Sequence, residues 1–220
     1  SRFGTICGAQ MVSDLALISV NTAWCLSIDV SHKSRGALFF GVISKSLYFF
    51  TCKLHVLMAI NRFSSIRAVS GKEWQRCTVA GAVGVCGALA VAQSISGPLL
   101  DANLYVVFTR ATMRFQFAQT PRTAFYEAYL EYYVVIAECS TIIILDAITL
   151  IKLHALNKHA KGRYNGAARE VRLLKQSFCQ IIPGAGVMIF FFLIAPQMES
   201  LWYSFLTSTF AWHFGIGLDG

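Results

Sequence analysis

Long apolar runs, separated by shorter polar segments, dominate the pattern of the chain. Six of these runs cover residues 8–30, 36–60, 78–98, 128–151, 175–195 and 201–220. A helix needs about 20 mostly apolar residues to cross the hydrocarbon core of a bilayer. The runs must be helices, because backbone groups need partners in lipid and the alternating pattern of a barrel strand is absent. The pattern therefore predicts an all-α membrane protein, with one helix-bundle domain over residues 1–220 and no separate soluble domain.

Composition and charge fit this prediction and indicate an orientation. Hydrophobic residues make up 55% of the chain and charged residues 14%, whereas soluble domains contain about 25% charged residues. The net charge is +8, and Arg2 with the loops 61–77 and 152–175 holds twelve of the nineteen basic residues, against five on the opposite side. The more basic side is expected to be cytoplasmic and the long loop 99–127 extracellular. Because the excess charge follows the loops, we expect no nucleic-acid partner.

The third run carries a stripe of small residues at four-residue intervals. The stripe consists of Ala80, Gly84, Ala88 and Ala92. Small residues on one helix face permit close packing against another helix in lipid. We expect the stripe to pack inside the bundle, and a dimer interface is the alternative.

No catalytic or metal-binding pattern is found in the sequence. The seven cysteines include no C-x-x-C pair, which argues against a zinc site or a dithiol motif. H-E-x-x-H, G-x-S-x-G and P-loop patterns are also missing. Residues 215–220 spell G-x-G-x-x-G, but they end an apolar run, whereas a dinucleotide site needs this pattern between a strand and a helix. We therefore expect no enzyme activity, no cofactor and no metal.

Ionisable residues inside the apolar runs are costly in lipid, so each is a functional hypothesis. They are Asp14, Lys45, Lys53, Glu131, Glu138, Asp146 and Asp219. Their depths follow from a helix rise of about 1.5 Å per residue, counted from the basic end of each run. On this scale Lys53 and Lys45 lie at about 13 and 25 Å, and Asp146 and Glu138 at about 9 and 21 Å. The depths predict that Lys45 pairs with Glu138, and Lys53 with Asp146 or Asp14. These pairs either only hold the bundle together or also serve in ligand binding or signalling.

Several short segments carry a family resemblance in their order along the chain. They are residues 1–7 (SRFGTIC), 11–15 (MVSDL), 59–63 (AINRF), Glu170 with 175–178 (KQSF), 209–212 (TFAW) and 218–220 (LDG). Together they resemble rhodopsin-like receptors, and more closely the nematode serpentine chemoreceptors of class X (Srx). AINRF is similar to that family's version of the Asp-Arg-Tyr motif. The resemblance implies a seven-transmembrane bundle, of which this chain is a fragment covering helices two to seven, with helix one missing and helix seven truncated.

The resemblance also implies a function, that of a chemosensory G-protein-coupled receptor. Such a receptor would bind a small-molecule or peptide ligand in the outer half of the bundle and signal through a heterotrimeric G protein at the cytoplasmic face. It would be a multi-pass protein of the plasma membrane of sensory cells. The basic segment 152–175 would contact the G protein or anionic membrane lipid.

Site residues follow from the same resemblance. Asn61, Arg62 and Phe63 would form the activation switch, with Arg62 holding helices three and six together at rest. On spacing alone, Arg62 either snorkels to the interface or turns inward to neighbouring helices. Asp14 and Asp219 would face each other in a buried polar core, and Pro183 would act as the hinge of helix six. The candidate ligand pocket consists of Lys45, Phe49, Tyr129, Tyr132, Tyr133, Glu138, Phe191 and Trp202.

One departure and one alternative complete the sequence-based picture. Rhodopsin-like receptors usually tie helix three to the second extracellular loop by a disulfide, but residues 37–39 and 99–127 contain no cysteine. This absence predicts a looser extracellular cap. The alternative function is a small transporter or channel with charged residues lining its path. Transporters often show corresponding broken helices in two repeated halves, and only the run with Pro183 fits, so the receptor is favoured.

Overall fold

A computed structural model describes most of the first four apolar runs and part of the last. The described residues are 2–26, 35–67, 76–109, 114–117, 120–159, 200–211 and 213–214, with the single residues 186, 194 and 197. Asp219, Pro183 and Phe191, together with nearly all of the fifth run, lie outside the described residues.

Four long helices form the described bundle, and each is long and apolar enough to cross a membrane. They are α1 (Arg2–Leu26), α2 (Arg35–Arg67), α3 (Arg76–Leu100) and α4, which consists of the consecutive segments Thr123–Phe125, Tyr126–Tyr132 and Tyr133–His159. A shorter helix, α5, covers Leu201–Phe205 and continues through Leu206–Phe210. The predicted bundle of transmembrane helices is therefore confirmed for this part of the chain.

Several helix ends lie beyond the predicted boundaries. α2 continues to Arg67 rather than ending at residue 60, and α4 continues to His159 rather than ending at residue 151. An apolar run detects only the part of a helix that matches the hydrocarbon core. The helices continue past it because their terminal turns carry basic and polar residues, which the membrane interface accepts.

The central helix of the described bundle is α2, which packs against α1, α3 and α4. Ile6, Leu54, Met58 and Val79 form an apolar cluster between α1, α2 and α3. A second cluster, Phe49 with Ala90 and Val135, joins α2, α3 and α4. Side chains of α2 therefore contact three other helices.

The small-residue stripe of α3 faces outward, so the expectation that it packs inside the bundle is wrong. Ala80, Gly84, Ala88 and Ala92 are all exposed. The reason lies on the opposite face of α3, where Ser94 is buried and its Oγ donates to the carbonyl of Val42 at 2.8 Å. Polar groups in a membrane helix must find partners inside the bundle. This requirement sets the rotation of α3, whereas small apolar residues can face lipid without cost.

An antiparallel hairpin covers the outer end of the bundle and was not predicted from the sequence. Its strands are β1 (Val106–Thr109) and β2 (Arg114–Phe117), paired with Val106 opposite Phe117. Phe115 and Phe117 are buried in one cluster with Trp24, Leu104 and Tyr126. The predicted loose cap is therefore not what the structure shows, because apolar packing holds this loop against the bundle.

Gly41 permits the close approach of the hairpin to α2. A Cβ atom at Gly41 would lie 2.6 Å from the carbonyl oxygen of Val106. We expect Gly41→Ala to push the hairpin outward and to destabilise the protein by about 1–3 kcal/mol, as overpacking usually does. The measurement is the thermal unfolding midpoint of the full-length protein in detergent, which should fall by about 2–4 °C for each kcal/mol.

The matched control is Gly84→Ala on the exposed face of α3, where an added Cβ meets nothing within 4 Å. Alanine has the higher helix propensity, so this variant should be unchanged or more stable. An unchanged midpoint for Gly41→Ala would contradict the close contact between α2 and the hairpin.

Candidate functional site

Three ion pairs join α2 to α4 and form the ion-pair ladder; the two end pairs are buried and the middle pair is partly buried. Its rungs, from the hairpin end, are Lys45–Glu131 at 3.0 Å, Lys53–Glu138 at 2.9 Å and Arg62–Asp146 at 3.0 Å. All three cations lie on α2 and all three acids on α4. Because residue numbers increase in the same direction on both helices, α2 and α4 run parallel.

The ladder corrects the pairings predicted from depth. Lys45 does not bond Glu138 but the acid one rung further out, and Lys53 bonds Glu138 rather than Asp146 or Asp14. The prediction assumed that the basic ends of the two helices lie at one level. The structure instead sets Arg62 level with Asp146, six residues before the basic end of α4, an offset of about 9 Å. Because this offset was left out, each lysine was predicted to pair with an acid one rung too far toward Asp146.

A different sequence signal would have found the ladder. The cations of α2 are separated by eight and nine residues, and the acids of α4 by seven and eight. Intervals of about two turns place side chains on one face of a helix. Matching the intervals of the cations to those of the acids gives the observed pairs, and it does not require the two helix ends to lie at one level. The match also includes Glu131, which the predicted pairs left out.

The innermost rung is a bidentate pair. Arg62 donates from Nε to Oδ1 of Asp146 at 3.2 Å, and from Nη2 to Oδ1 and Oδ2, both at 3.0 Å. The side chains are 3% and 0% exposed. Arg62 therefore turns inward rather than snorkelling, which settles the choice that spacing left open. Its predicted contact with helix six involves a helix outside the described residues and stays a prediction.

The neighbours of Arg62 extend the contact at the same end. Asn61 and Phe63 are half-buried. The Nζ of Lys152 on α4 lies 4.5 Å from the centroid of the Phe63 ring. A cation over an aromatic face is attracted to the ring quadrupole. This contact adds a second link between α2 and α4 beside the Arg62 pair.

The middle rung includes α3 through a glutamine. Lys53 Nζ donates both to Glu138 and, at 2.6 Å, to Oε1 of Gln93. The Nε2 of Gln93 donates to the carbonyl of Leu130 on α4 at 2.9 Å. One amide thus accepts from α2 and donates to α4. Gln93 was not singled out in the sequence, because an uncharged residue in an apolar run carries little signal.

The outermost rung lies inside an aromatic cage, which we call the outer cage and which consists of Phe49, Phe117, Tyr126 and Glu131 around Lys45. The Lys45 Nζ lies 3.9 Å from the centroid of Phe117, 4.8 Å from Tyr126 and 5.3 Å from Phe49. The side chains of the pair are only 6% and 11% exposed. A desolvated ammonium needs this environment, because an unpaired buried charge is very costly.

A π-helical segment of α4 builds one side of the outer cage. Residues Tyr126–Tyr132 form this segment. In an α-helix, side chains five residues apart point about 140° away from each other. The i→i+5 bonding of a π-helix brings such residues close to one face, and both Tyr126 and Glu131 therefore reach Lys45. The segment begins after the hairpin and has no recognised sequence signature, so the cage residues Phe117 and Tyr126 were missed.

Of the two aspartates of the predicted polar core, only Asp14 lies within the described residues. Asp14 is buried, and its Oδ1 accepts from the hydroxyl of Thr51 on α2 at 2.9 Å. Ser13 beside it donates to the carbonyl of Leu47 at 3.3 Å. Asp14 is therefore a buried acid bonded to α2. Its predicted partner, Asp219, lies outside the described residues, so the pairing stays a prediction.

The predicted pocket residues fall into separate places. Lys45 and Phe49 meet in the outer cage, and Glu138 belongs to the middle rung. Tyr129 and Tyr133 are 58% and 55% exposed and contact each other at 5.5 Å between ring centroids. Half-buried Tyr132 contacts Tyr133 with tilted rings, and Trp202 on α5 is 72% exposed. The exposed aromatic residues are typical of a membrane-interface belt, and the structure does not bring them into the cage.

The fold and the ladder define the class of the molecule, a multi-pass membrane protein in which ion pairs inside the bundle join two of the helices. The whole chain, residues 1–220, matches the family described as serpentine type 7TM GPCR chemoreceptor Srx. The chain therefore belongs to this family, which confirms the identification made from its motifs. The family is one of receptors rather than enzymes. A comparison with curated proteins gives no match.

A double-mutant cycle tests the register of the ladder. Lys45→Met and Glu131→Gln each remove one partner of a buried pair, a loss that typically costs about 3–5 kcal/mol. Each single variant should therefore unfold at a lower temperature in detergent. The double variant should regain part of this loss, with a coupling energy of about 0.5–3 kcal/mol.

The matched control combines Lys45→Met with Glu138→Gln, one rung further in. Its coupling energy should be close to zero, because these residues share no contact. A larger coupling of Lys45 with Glu138 than with Glu131 would contradict the ladder and restore the pairing predicted from depth.

Proposed function

We propose that the protein is a chemosensory receptor that binds a small molecule at the outer end of the bundle and signals through a heterotrimeric G protein at the cytoplasmic end. One observation carries the proposal. The two helices that supply Lys45 and Glu131 to the outer cage also supply the buried pair of Arg62 and Asp146 at their other ends. A ligand that favours another arrangement of α2 and α4 at the cage therefore also shifts the equilibrium at Arg62.

The resting state in this proposal is the one with Arg62 held by Asp146. A bidentate guanidinium pair, shielded from water, keeps the cationic side chain away from any partner at the cytoplasmic face. Activation releases the guanidinium, and ligand and G protein then favour the same arrangement. Coupling between two sites of about 1–3 kcal/mol changes affinity roughly 5- to 150-fold. A ligand need only weaken the outer rung to produce an effect of this size.

The remaining site residues take their roles from the family. Asn61 and Phe63 flank the switch, and the basic segment 152–175 contacts the G protein or anionic lipid. Asp14 and Asp219 form the polar core, and Pro183 is the hinge of helix six. The protein acts in the plasma membrane of sensory cells. Family membership favours this function over a transporter or channel. The pairing of Lys45, Lys53 and Arg62 with acids of α4 also favours it, because paired charges are less suited to line a transport path.

Ligand-independent signalling tests the proposal, because it requires no known ligand. Asp146→Asn in the full-length protein removes the anion that holds Arg62 at rest. We expect basal G-protein signalling to rise several-fold per receptor at the cell surface, measured in a heterologous cell line. Arg62→Ala should lower basal signalling to that of untransfected cells. Asp101→Asn, which removes the same charge from the outer loop, is the control and should leave it unchanged.

A second variant separates signalling from folding. In the double variant Arg62→Met with Asp146→Leu both charges are replaced by apolar side chains, which often preserves stability when a buried pair is lost. This variant should reach the cell surface and remain silent. If Asp146→Asn reaches the surface at the normal level and neither it nor Arg62→Ala alters basal signalling, the proposed role of Arg62 is wrong.

A further inference from the structure

The outer cage already holds an ammonium group, that of Lys45. Three aromatic faces and the Glu131 carboxylate surround its Nζ at the distances given above. Aromatic faces carry partial negative charge and bind cations, with quaternary ammonium groups as the best-known ligands. The chemistry of the cage is therefore selective for cations.

A second acid makes the surroundings of the cage net negative. Glu127 lies one turn before Glu131 on α4 and interacts electrostatically with both Glu131 and Lys45. It is half-buried, whereas Lys45 is almost completely buried. Within the part of the chain that the structure describes, Glu127 has no ion pair of its own. Glu127 and Glu131 thus lie near one ammonium, and with both acids ionised the three groups carry a formal charge of −1.

The charge balance decides between ligand classes. An anionic ligand would add a third carboxylate or similar group beside the single ammonium, which already has its counter-ion. A cationic ligand would neutralise the excess charge and could reach Glu127 without displacing Lys45 first. Like charges repel and opposite charges attract strongly in a medium of low dielectric constant. We infer that the ligand of the outer cage carries an ammonium group, which pairs with Glu127 and competes with Lys45 for Glu131; this inference rests on the proposed function.

A ligand in the outer cage can act on the ladder through Glu131. When a ligand ammonium binds the Glu131 carboxylate, the ion pair between Lys45 and Glu131 weakens. The contacts of Lys45 with the aromatic rings stay in place. The outer rung is then the one that a ligand loosens, and the two inner rungs remain intact until the helices rearrange. The occupant of the cage and the state of the ladder are linked by a shared carboxylate.

Three small probes of similar shape test the inference on the purified full-length protein in lipid nanodiscs. Phenethylamine and phenyltrimethylammonium carry a positive charge, and 3-phenylpropionate carries a negative one. We expect the two cations to raise the thermal unfolding midpoint in a saturable manner at millimolar concentration, and the acid to have no such effect. Stabilisation of this kind reports binding to the folded state.

Variants at Glu127 locate the effect. Glu127→Gln should weaken the apparent affinity for both cations at least tenfold, and Glu127→Asp should retain most of it. Asp101→Asn is the matched control, because it removes one negative charge from the outer loop, and it should bind the cations normally. An equal loss of affinity in Asp101→Asn would mean that general surface charge attracts the probes. That result would overturn the assignment of the site to Glu127.

The other outcomes are equally informative. Stabilisation by the acid alone would show that Lys45 binds an anion, and stabilisation by none of the probes would show that the cage is closed to ammonium ligands. Either result overturns this inference. Neither affects the basal signalling of Asp146→Asn and Arg62→Ala, so failure of the inference is distinguishable from failure of the proposed function.

Discussion

The arrangement of the described bundle depends on the cost of an unpaired charge in the membrane interior. α2 carries three cations in the part that crosses the membrane, and it is stable there only if three acids lie at the same levels on a neighbouring helix. α4 is the helix that supplies them. The pairs fix the direction of α4 relative to α2, its vertical register and its rotation. Apolar packing alone would not do this, because lipid chains are as apolar as the helix surfaces that they cover.

The intervals between the rungs are close but not equal, and the side-chain types match the difference. From the outermost to the innermost rung there are 17 residues on α2 and 15 on α4, a mismatch of about 3 Å along the axis. The two outer cations are lysines, whose flexible four-carbon stems can absorb such an offset. The innermost is an arginine, whose rigid fork needs a well-aligned carboxylate. The register of the ladder is therefore set at Arg62, and the flexible lysine side chains compensate for the mismatch at the two outer rungs.

The sequence was sufficient for the elements that depend on a single helix and insufficient for those that depend on contacts between elements. Apolar length predicted four described helices, and several short motifs in combination, AINRF among them, predicted the family. Depths counted from separate helix ends could not give the register of Lys45 and Lys53, because the offset between helices is a tertiary quantity. The outward rotation of the Ala80 stripe follows from the polar face of α3. The hairpin strands have four residues each, too few for a recognisable pattern, and their burial depends on the cage beneath them.

The π-helical segment of α4 joins the outer cage to the middle rung. Its carbonyl at Leu130 accepts from Gln93, which also holds Lys53 of the middle rung. In an α-helical register Tyr126 and Glu131 would point about 140° apart, so they would not both reach Lys45. The outer cage and the middle rung are thus joined through one side chain on a third helix. Segments of this kind often lie at functional sites. In this protein the segment supplies Tyr126 and Glu131 to the outer cage and, through Leu130, a backbone carbonyl to the hydrogen-bonded network that joins α2, α3 and α4.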